Sequence, residues 1–182
     1  TSAGYAAGIG GDLDGDGLSD VVVGSYLYDY SSAETDAGRT YVWYGGLSSG
    51  THNIIFADAR LQGLVKSAYQ GWSLDAPGDL DGDGLDDLLV GARGDDEIGT
   101  DSGAAFIVWG APSGTIDLDS AAGVKFAGPG GSEDLGWAVA AVGDVDADGT
   151  TDLAFGAPGH TLYGTSTISD AGAVYIVPSA GW

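Results

Sequence analysis

The sequence predicts an all-β fold of β-propeller type. It comprises four-stranded antiparallel blades in three repeats, the last one incomplete, forming a partial propeller or the protomer of an assembled one. Three observations predict it. A nine-residue acidic stretch occurs three times, as DLDGDGLSD at 12–20, DLDGDGLDD at 79–87 and DVDADGTTD at 144–152. The apolar runs around it are short, β-branched or aromatic, and bounded by Gly, Asp, Ser or Pro, which reads as strand; none keeps a 3.6-residue period over helical length. Glycine accounts for 34 of the 182 residues without a Gly-X-Y period, which fits many tight turns, and 43 % hydrophobic residues suffice for a core.

The elements recur in a fixed order. The first strand is carried by AGYAAGIGG (3–11), QGWSLDAPG (70–78) and LGWAVAAVG (135–143). The acidic loop follows, then a second strand in VVVGSY (21–26), LLVGAR (88–93) and LAFGAP (153–158). After a connection of variable length comes a third strand in TDAGRTYVWYG (35–45), TDSGAAFIVWG (100–110) and SDAGAVYIVPS (169–179). A fourth is expected in NIIFADARL (53–61) and VKFAGP (124–129), and the third repeat stops before reaching it. The blades are therefore bounded at 1–65, 66–130 and 131–182, the last lacking its outer strand. One such sheet cannot bury both faces, so neighbouring units must stack. Trp43, Trp72, Trp109 and Trp137 fall at repeated strand positions and read as core. Tyr26, Tyr28 and Tyr30 alternate as one face of an extended strand.

The acidic loop never changes length, which points to a geometric task. Positions 1, 3, 5 and 9 are Asp in every copy: Asp12, Asp14, Asp16 and Asp20; Asp79, Asp81, Asp83 and Asp87; Asp144, Asp146, Asp148 and Asp152. Like charges this close repel unless a cation lies between them. Ca²⁺ takes six to eight oxygens at about 2.3–2.6 Å, and alternate side chains of a curled loop point into one cavity. The carbonyl of position 7 (Leu18, Leu85, Thr150) completes the expected ligand set, and Gly17, Gly84 and Gly149 at position 6 supply the sharp turn. Three Ca²⁺ per chain are expected. An EF-hand is rejected, because position 12 is Val23, Val90 or Phe155 and the flanks are strands. Mg²⁺ prefers water and strict octahedral geometry, and Zn²⁺ wants His or Cys, of which the chain has only two histidines. Ala147 stands where the other loops carry Gly15 and Gly82, so this position is expected to need positive φ less strictly, with weaker binding at the third loop.

The formal charge of −22 opposes nucleic acid and anionic membrane surfaces as partners. No run reaches transmembrane length. Without Cys, disulfides and thiol chemistry are absent. The chain opens without Met or a signal-peptide pattern, which reads as a processed chain or a segment of something longer.

GDLDGDGLSDVVVG (11–24), GDLDGDGLDDLLVGA (78–92) and GDVDADGTTDLAFGAPG (143–159) resemble FG-GAP repeats, the blades of the integrin α-chain β-propeller; FGAP at 155–158 is the eponymous string. The resemblance implies a secreted or cell-surface protein and a ring of about seven blades, with Ca²⁺ on one face and ligands on the other. It carries over to the metal residue by residue, onto the twelve aspartates. It carries no ligand contacts, which in this fold come from variable loops, here 27–35, 94–100 and 159–168, with the connections near 62–70 and 130–135.

The expected function is a calcium-binding extracellular module for adhesion or for binding a protein or carbohydrate ligand, and not an enzyme. The alternatives are a building block that self-assembles into a ring or fibre through unpaired blade edges, and an enzyme with catalytic residues in its variable loops. RGD at 93–95 falls in a repeated turn and reads as chance, so Asp95→Ala is expected to leave folding and adhesion unchanged. His52 and His160 occupy unmatched positions, and the acids of DDE (95–97) and SED (132–134) read as solvated loop residues.

Overall fold

A computed structural model describes residues 2–178; residues 1 and 179–182, which the first and third expected blades include, lie outside the described part. The chain forms β1 (Ala7–Ile9), β2 (Val21–Ser25), β3 (Arg39–Trp43), β4 (Ala59–Gln62), β5 (Gln70–Gly78), β6 (Asp87–Ala92), β7 (Ala104–Val108), β8 (Gly114–Asp117), a short helix α1 (Leu118–Ala121), β9 (Val124–Ala127), β10 (Ala138–Gly143), β11 (Asp152–Ala157) and β12 (Ala173–Val177). They assemble into three sheets, ordered β1-β2-β3-β4-β8, β5-β6-β7-β9 and β10-β11-β12. All pairings within repeats are antiparallel meanders, so the all-β propeller-type fold is present.

The first sheet has one strand more than expected. The connection between β7 and β9 crosses back to the neighbouring blade, where β8 pairs in parallel with β4, Leu61 opposite Ile116. Asp117 caps the following helical turn by accepting from Asp119 N–H, and Leu118 is buried in the first core. A sequence pattern of four residues cannot announce a pairing made with another repeat.

Two apolar layers separate the sheets. Val22, Val42, Leu61, Leu88, Val90 and Phe106 fill the first, and Leu89, Ala105, Ile107, Leu153 and Phe155 fill the second. Side chains alternate along a strand. Leu88 and Val90 therefore face one layer while Leu89 faces the other, and every residue of β6 and β7 is buried. In β12 no residue is buried, and Val174 and Ile176 are exposed.

The segment YLYDY is not a strand: β2 ends at Ser25 and turns follow. Tyr26 packs on Tyr5 and Trp72, whereas Tyr28 lies under Arg39, 3.6 Å from its guanidinium carbon. The four tryptophans also divide. Trp43 is buried and Trp109 packs half-buried on the second layer, but Trp137 is 43 % exposed. Trp72 and Trp137 stand at the start of inner strands, at the end away from the acidic loops, where they form a surface cluster instead of core. Tyr5, Trp72 and Trp137 hold the same place in their repeats, and Trp72 lies 4.8 Å from Tyr5 and 5.1 Å from Trp137 between ring centroids.

Candidate metal centre

Each acidic loop links the inner strand of its sheet to the second, and its curl is held by its own carboxylates. The position-1 side chain accepts from the position-6 amide: Gly17 to Asp12, Gly84 to Asp79 and Gly149 to Asp144, each at 2.9 Å. The position-3 side chain accepts from the position-5 amide, Asp16 to Asp14 at 3.2 Å, with 3.1 Å for Asp83 to Asp81 and for Asp148 to Asp146. The position-5 side chain accepts from the position-7 amide, 2.8 Å from Leu18 to Asp16, Leu85 to Asp83 and Thr150 to Asp148. Position 6 has positive φ in all three loops, at 85°, 93° and 96°, the conformation glycine tolerates.

The position-9 aspartates, Asp20, Asp87 and Asp152, are fully buried. Each closes its loop by accepting from the position-2 amide: Leu13 at 2.6 Å, Leu80 at 2.7 Å and Val145 at 2.8 Å. Amides from the turn after the third strand add to this, Gly45 to Asp20 at 2.8 Å and Gly110 to Asp87 at 3.1 Å. Those two donors belong to no acidic motif, so nothing in the loop sequence singles them out.

Three carboxylate groups result: Asp12, Asp14 and Asp20; Asp79, Asp81 and Asp87; Asp144, Asp146 and Asp152. In each, one oxygen per residue lies within 4.8 Å of the others. Positions 1, 3 and 9 are thus brought together as the spacing predicts, whereas Asp16, Asp83 and Asp148 stand outside these groups and cap position 7. Burial raises the Asp20 carboxyl above its usual range and pushes Asp87 up to about 6; the charges of Asp14 and Asp12, and of Asp81 and Asp79, add to this against the loop amides. The field reaches Tyr44, whose hydroxyl is pushed up to about 12 by burial first, then by Asp14, Asp20 and Asp58.

The donors fit a divalent cation. Two ligands across a Ca²⁺ stand about 4.6–5.2 Å apart, twice the usual Ca–O distance. All three groups offer hard oxygen and nothing else, which suits Ca²⁺, Mg²⁺ or Mn²⁺ over softer metals. Asp12 Oδ1 is buried without a hydrogen-bond partner, an unmet acceptor beside two further carboxylates.

Position 4 departs from expectation. Ala147 has φ 66°, matching Gly15 at 77° and Gly82 at 79°, so the loop imposes a left-handed backbone there whichever residue is present. The RGD tripeptide is engaged internally. Arg93 lies 4.5 Å over Tyr69, 4.2 Å over Trp72 and 5.0 Å over Trp137, and it pairs with Asp134 at 3.1 Å. Asp95 is buried and holds Lys125 at 3.0 Å, so replacing it must disturb folding, contrary to the expectation from sequence. His52 sits apart on an exposed loop against Ser48 O. His160 Nδ1 lies 2.8 Å from Glu133 Oε2, which ties the third variable loop to the connection before β10, and Tyr175 joins the same carboxylate at 3.3 Å.

Comparison with known proteins converges on the same three units. The family model described as FG-GAP repeat matches residues 3–43, 71–108 and 135–177. The chain is similar to integrin alpha-PS5 of Drosophila melanogaster, 38 % identical over 152 residues that cover 81 % of this chain and 14 % of that protein. It is also similar to integrin alpha-V of Gallus gallus, 31 % identical over 160 residues, 85 % of this chain and 14 % of that protein. Phosphatidylinositol-glycan-specific phospholipase D of Rattus norvegicus is 31 % identical over 159 residues, 81 % of this chain and 17 % of the enzyme. The chain thus spans a small part of the length of each of these relatives. It belongs to the FG-GAP repeat family, as an integrin-α-like β-propeller module.

Proposed function

We propose that this FG-GAP chain is a calcium-stabilised, non-catalytic ligand-binding module of an extracellular or cell-surface protein, with adhesion as its setting. The observation that carries the reading is the threefold carboxylate cluster with the unmet Asp12 Oδ1. Three Ca²⁺ are held, one per loop, by Asp12, Asp14, Asp16, Asp20 and the Leu18 carbonyl; by Asp79, Asp81, Asp83, Asp87 and the Leu85 carbonyl; and by Asp144, Asp146, Asp148, Asp152 and the Thr150 carbonyl. The bound ion supplies charge neutralisation, and the loop amides keep the carboxylates aimed inward. The blades divide at about residues 65 and 130, as the sequence repeat suggests.

The partner is a protein or a carbohydrate, met at the end of the blades opposite the loops. That end carries Tyr5, Tyr26, Trp72 and Trp137, whose flat faces suit either class. Nucleic acid is disfavoured by the net charge, and among the described residues no helix is long and apolar enough to cross a membrane. The integrin relatives support a binding role; the phospholipase is a protein of which the matched stretch is 17 %.

Metal analysis and thermal melting of the intact chain, with Ca²⁺ and with chelator, test the reading. Extracellular modules bind at about 10⁻⁴–10⁻³ M, and a hundredfold excess over the dissociation constant stabilises by about 2.7 kcal/mol per site. Three ions per chain and a marked drop in melting temperature on chelation are expected. A chain that carries no calcium and melts identically in chelator would sink the proposal.

A further inference from the structure

The first and second acidic loops are joined by a two-way clamp between the Asp12 backbone and the side chain and amide of Asp86. Asp12 N–H donates to Asp86 Oδ2 at 2.8 Å, and Asp86 N–H donates to the Asp12 carbonyl at 3.0 Å. Asp12 is position 1 of the first loop, and its side chain belongs to the first carboxylate group. Asp86 is position 8 of the second loop, one residue before Asp87 of the second group. Contact at this point is close enough to require glycine beside it: a Cβ on Gly11, which has φ 74°, would fall 2.3 Å from Asp86 Oδ2. Leu85, at position 7, touches the same loop, since a Cβ on Gly15 would meet its Cδ2 at 2.8 Å. Leu13 O accepts from Ala111 N–H at 2.6 Å, a second anchor of the first loop on the second blade. The equivalents of Asp86 are Ser19 and Thr151, which carry no carboxylate. Between the second and third blades the comparable bond lies within the strands, from Ala141 N–H to Asp75 Oδ2 at 2.7 Å.

We propose that Asp86 is a positioning residue that couples the first two metal loops, so that filling either one raises the affinity of the other, while the third loop fills independently. This rests on the calcium reading above. A cation at the first loop fixes Asp12, and with it both bonds to Asp86. Those bonds in turn hold Leu85 and Asp87, the flanking positions of the second loop, in binding geometry. By reciprocity the second ion pre-orders Asp12 by the same factor.

Calcium titration of the whole chain, followed by calorimetry and by the Gly17, Gly84 and Gly149 amide signals, separates the sites. In the native sequence the Gly17 and Gly84 signals should shift together. Asp79→Ala, which disables the second loop, should weaken the first by about fivefold or more, the lower end of ordinary coupling. Asp144→Ala should leave it unchanged. Asp86→Ser, which installs the residue the first loop carries at this position, should shrink the effect of Asp79→Ala to about twofold or less. Asp86→Asn keeps an acceptor oxygen without the charge and should preserve the coupling. An Asp79→Ala effect of equal size with and without Asp86→Ser overturns the coupling, as does independent titration of all three loops in the native chain. Equal loss in Asp86→Ser and Asp86→Asn shows a charge effect and also overturns it. Absence of calcium binding to the native chain overturns the calcium reading itself, and the coupling with it.

Discussion

Ala147→Gly should stabilise the protein, although it deletes a methyl group from an ordered loop. Ala147 has φ 66°, in the left-handed region where the other two loops have glycine. That conformation costs an L-residue about 1–2 kcal/mol. Glycine also gains freedom in the unfolded chain, which offsets about 0.4–1 kcal/mol of the relief. The net gain is about 0.5–1 kcal/mol, or a rise of about 1–4 °C in a chain of this size. The mirror substitution is Gly82→Ala. A Cβ at Gly82 would meet nothing within 4 Å, so its cost is purely one of backbone conformation, and it should destabilise by about 1 kcal/mol. Gly15→Ala should cost more, because the new methyl meets Leu85. Urea unfolding at saturating calcium measures all three. Stability unchanged or lowered in Ala147→Gly, together with a neutral Gly82→Ala, would refute the argument that the loop imposes this conformation.

Three further outcomes are expected. Asp81→Ala removes one carboxylate of the middle group and should cut bound calcium from three ions to two, with a melting drop that excess calcium does not restore; full stoichiometry by metal analysis would count against the ligand assignment. Asp95→Ala breaks a buried contact with Lys125 and should destabilise by about 1–3 kcal/mol, moderated because Glu97 at 2.8 Å and Asp119 at 2.9 Å still hold the ammonium; urea unfolding unchanged from the native chain would refute this. In chelator, the native chain should lose stability as pH rises from about 4 to about 6. Asp87 stays protonated to about 6 when folded and to about 3.9 when unfolded, so the folded state holds more protons across that window. The shift is worth about 2–3 kcal/mol, Asp20 adds in the same direction, and a melting temperature in chelator that does not fall over this range would refute the reasoning.

The repeat, the strand order and the convergence of positions 1, 3 and 9 were legible because each is written within a single unit, at fixed spacing. What was not legible depends on contacts between units. The parallel pairing of β8 with β4 joins two repeats, and the Asp86 clamp joins two loops. The surface position of Trp72 and Trp137 could have been read from the sequence, since both follow a glycine at the mouth of an inner strand, in line with Tyr5. The twofold alternation hid this, because it assigns a side chain to a face of the sheet and says nothing of its height along the blade. Ala147 misled for a related reason: a single alanine suggests tolerance, whereas the hydrogen-bond pattern around it is that of the glycine loops.

The two ends of the blades are built differently, and this bears on where a partner can bind. At one end, loops of constant length concentrate aspartates, and their side chains are engaged by their own backbone. Little there can adapt to a ligand. At the other end, connections of variable length surround Tyr5, Tyr26, Tyr69, Trp72 and Trp137, and Arg39 and Arg93 both lie stacked on aromatic rings. Arg93 is held by three rings and by Asp134, so its charge is spent within the fold. A ligand meeting this end therefore finds aromatic faces ringed by acidic loop residues, among them the exposed Asp29, Asp96 and Asp170. Binding of a neutral ligand by the rings should be insensitive to salt, whereas a cationic ligand should bind more weakly as salt rises, because screening weakens exposed charge pairs far more than stacking contacts. Under the proposed function, the acidic loops reach such binding only through the strands that connect the two ends. Chelation should accordingly lower ligand affinity in step with folding stability, and conditions that leave the blades folded without calcium should leave the affinity intact. Loss of affinity in a calcium-free chain that remains folded by circular dichroism would show instead that the ion contacts the ligand directly.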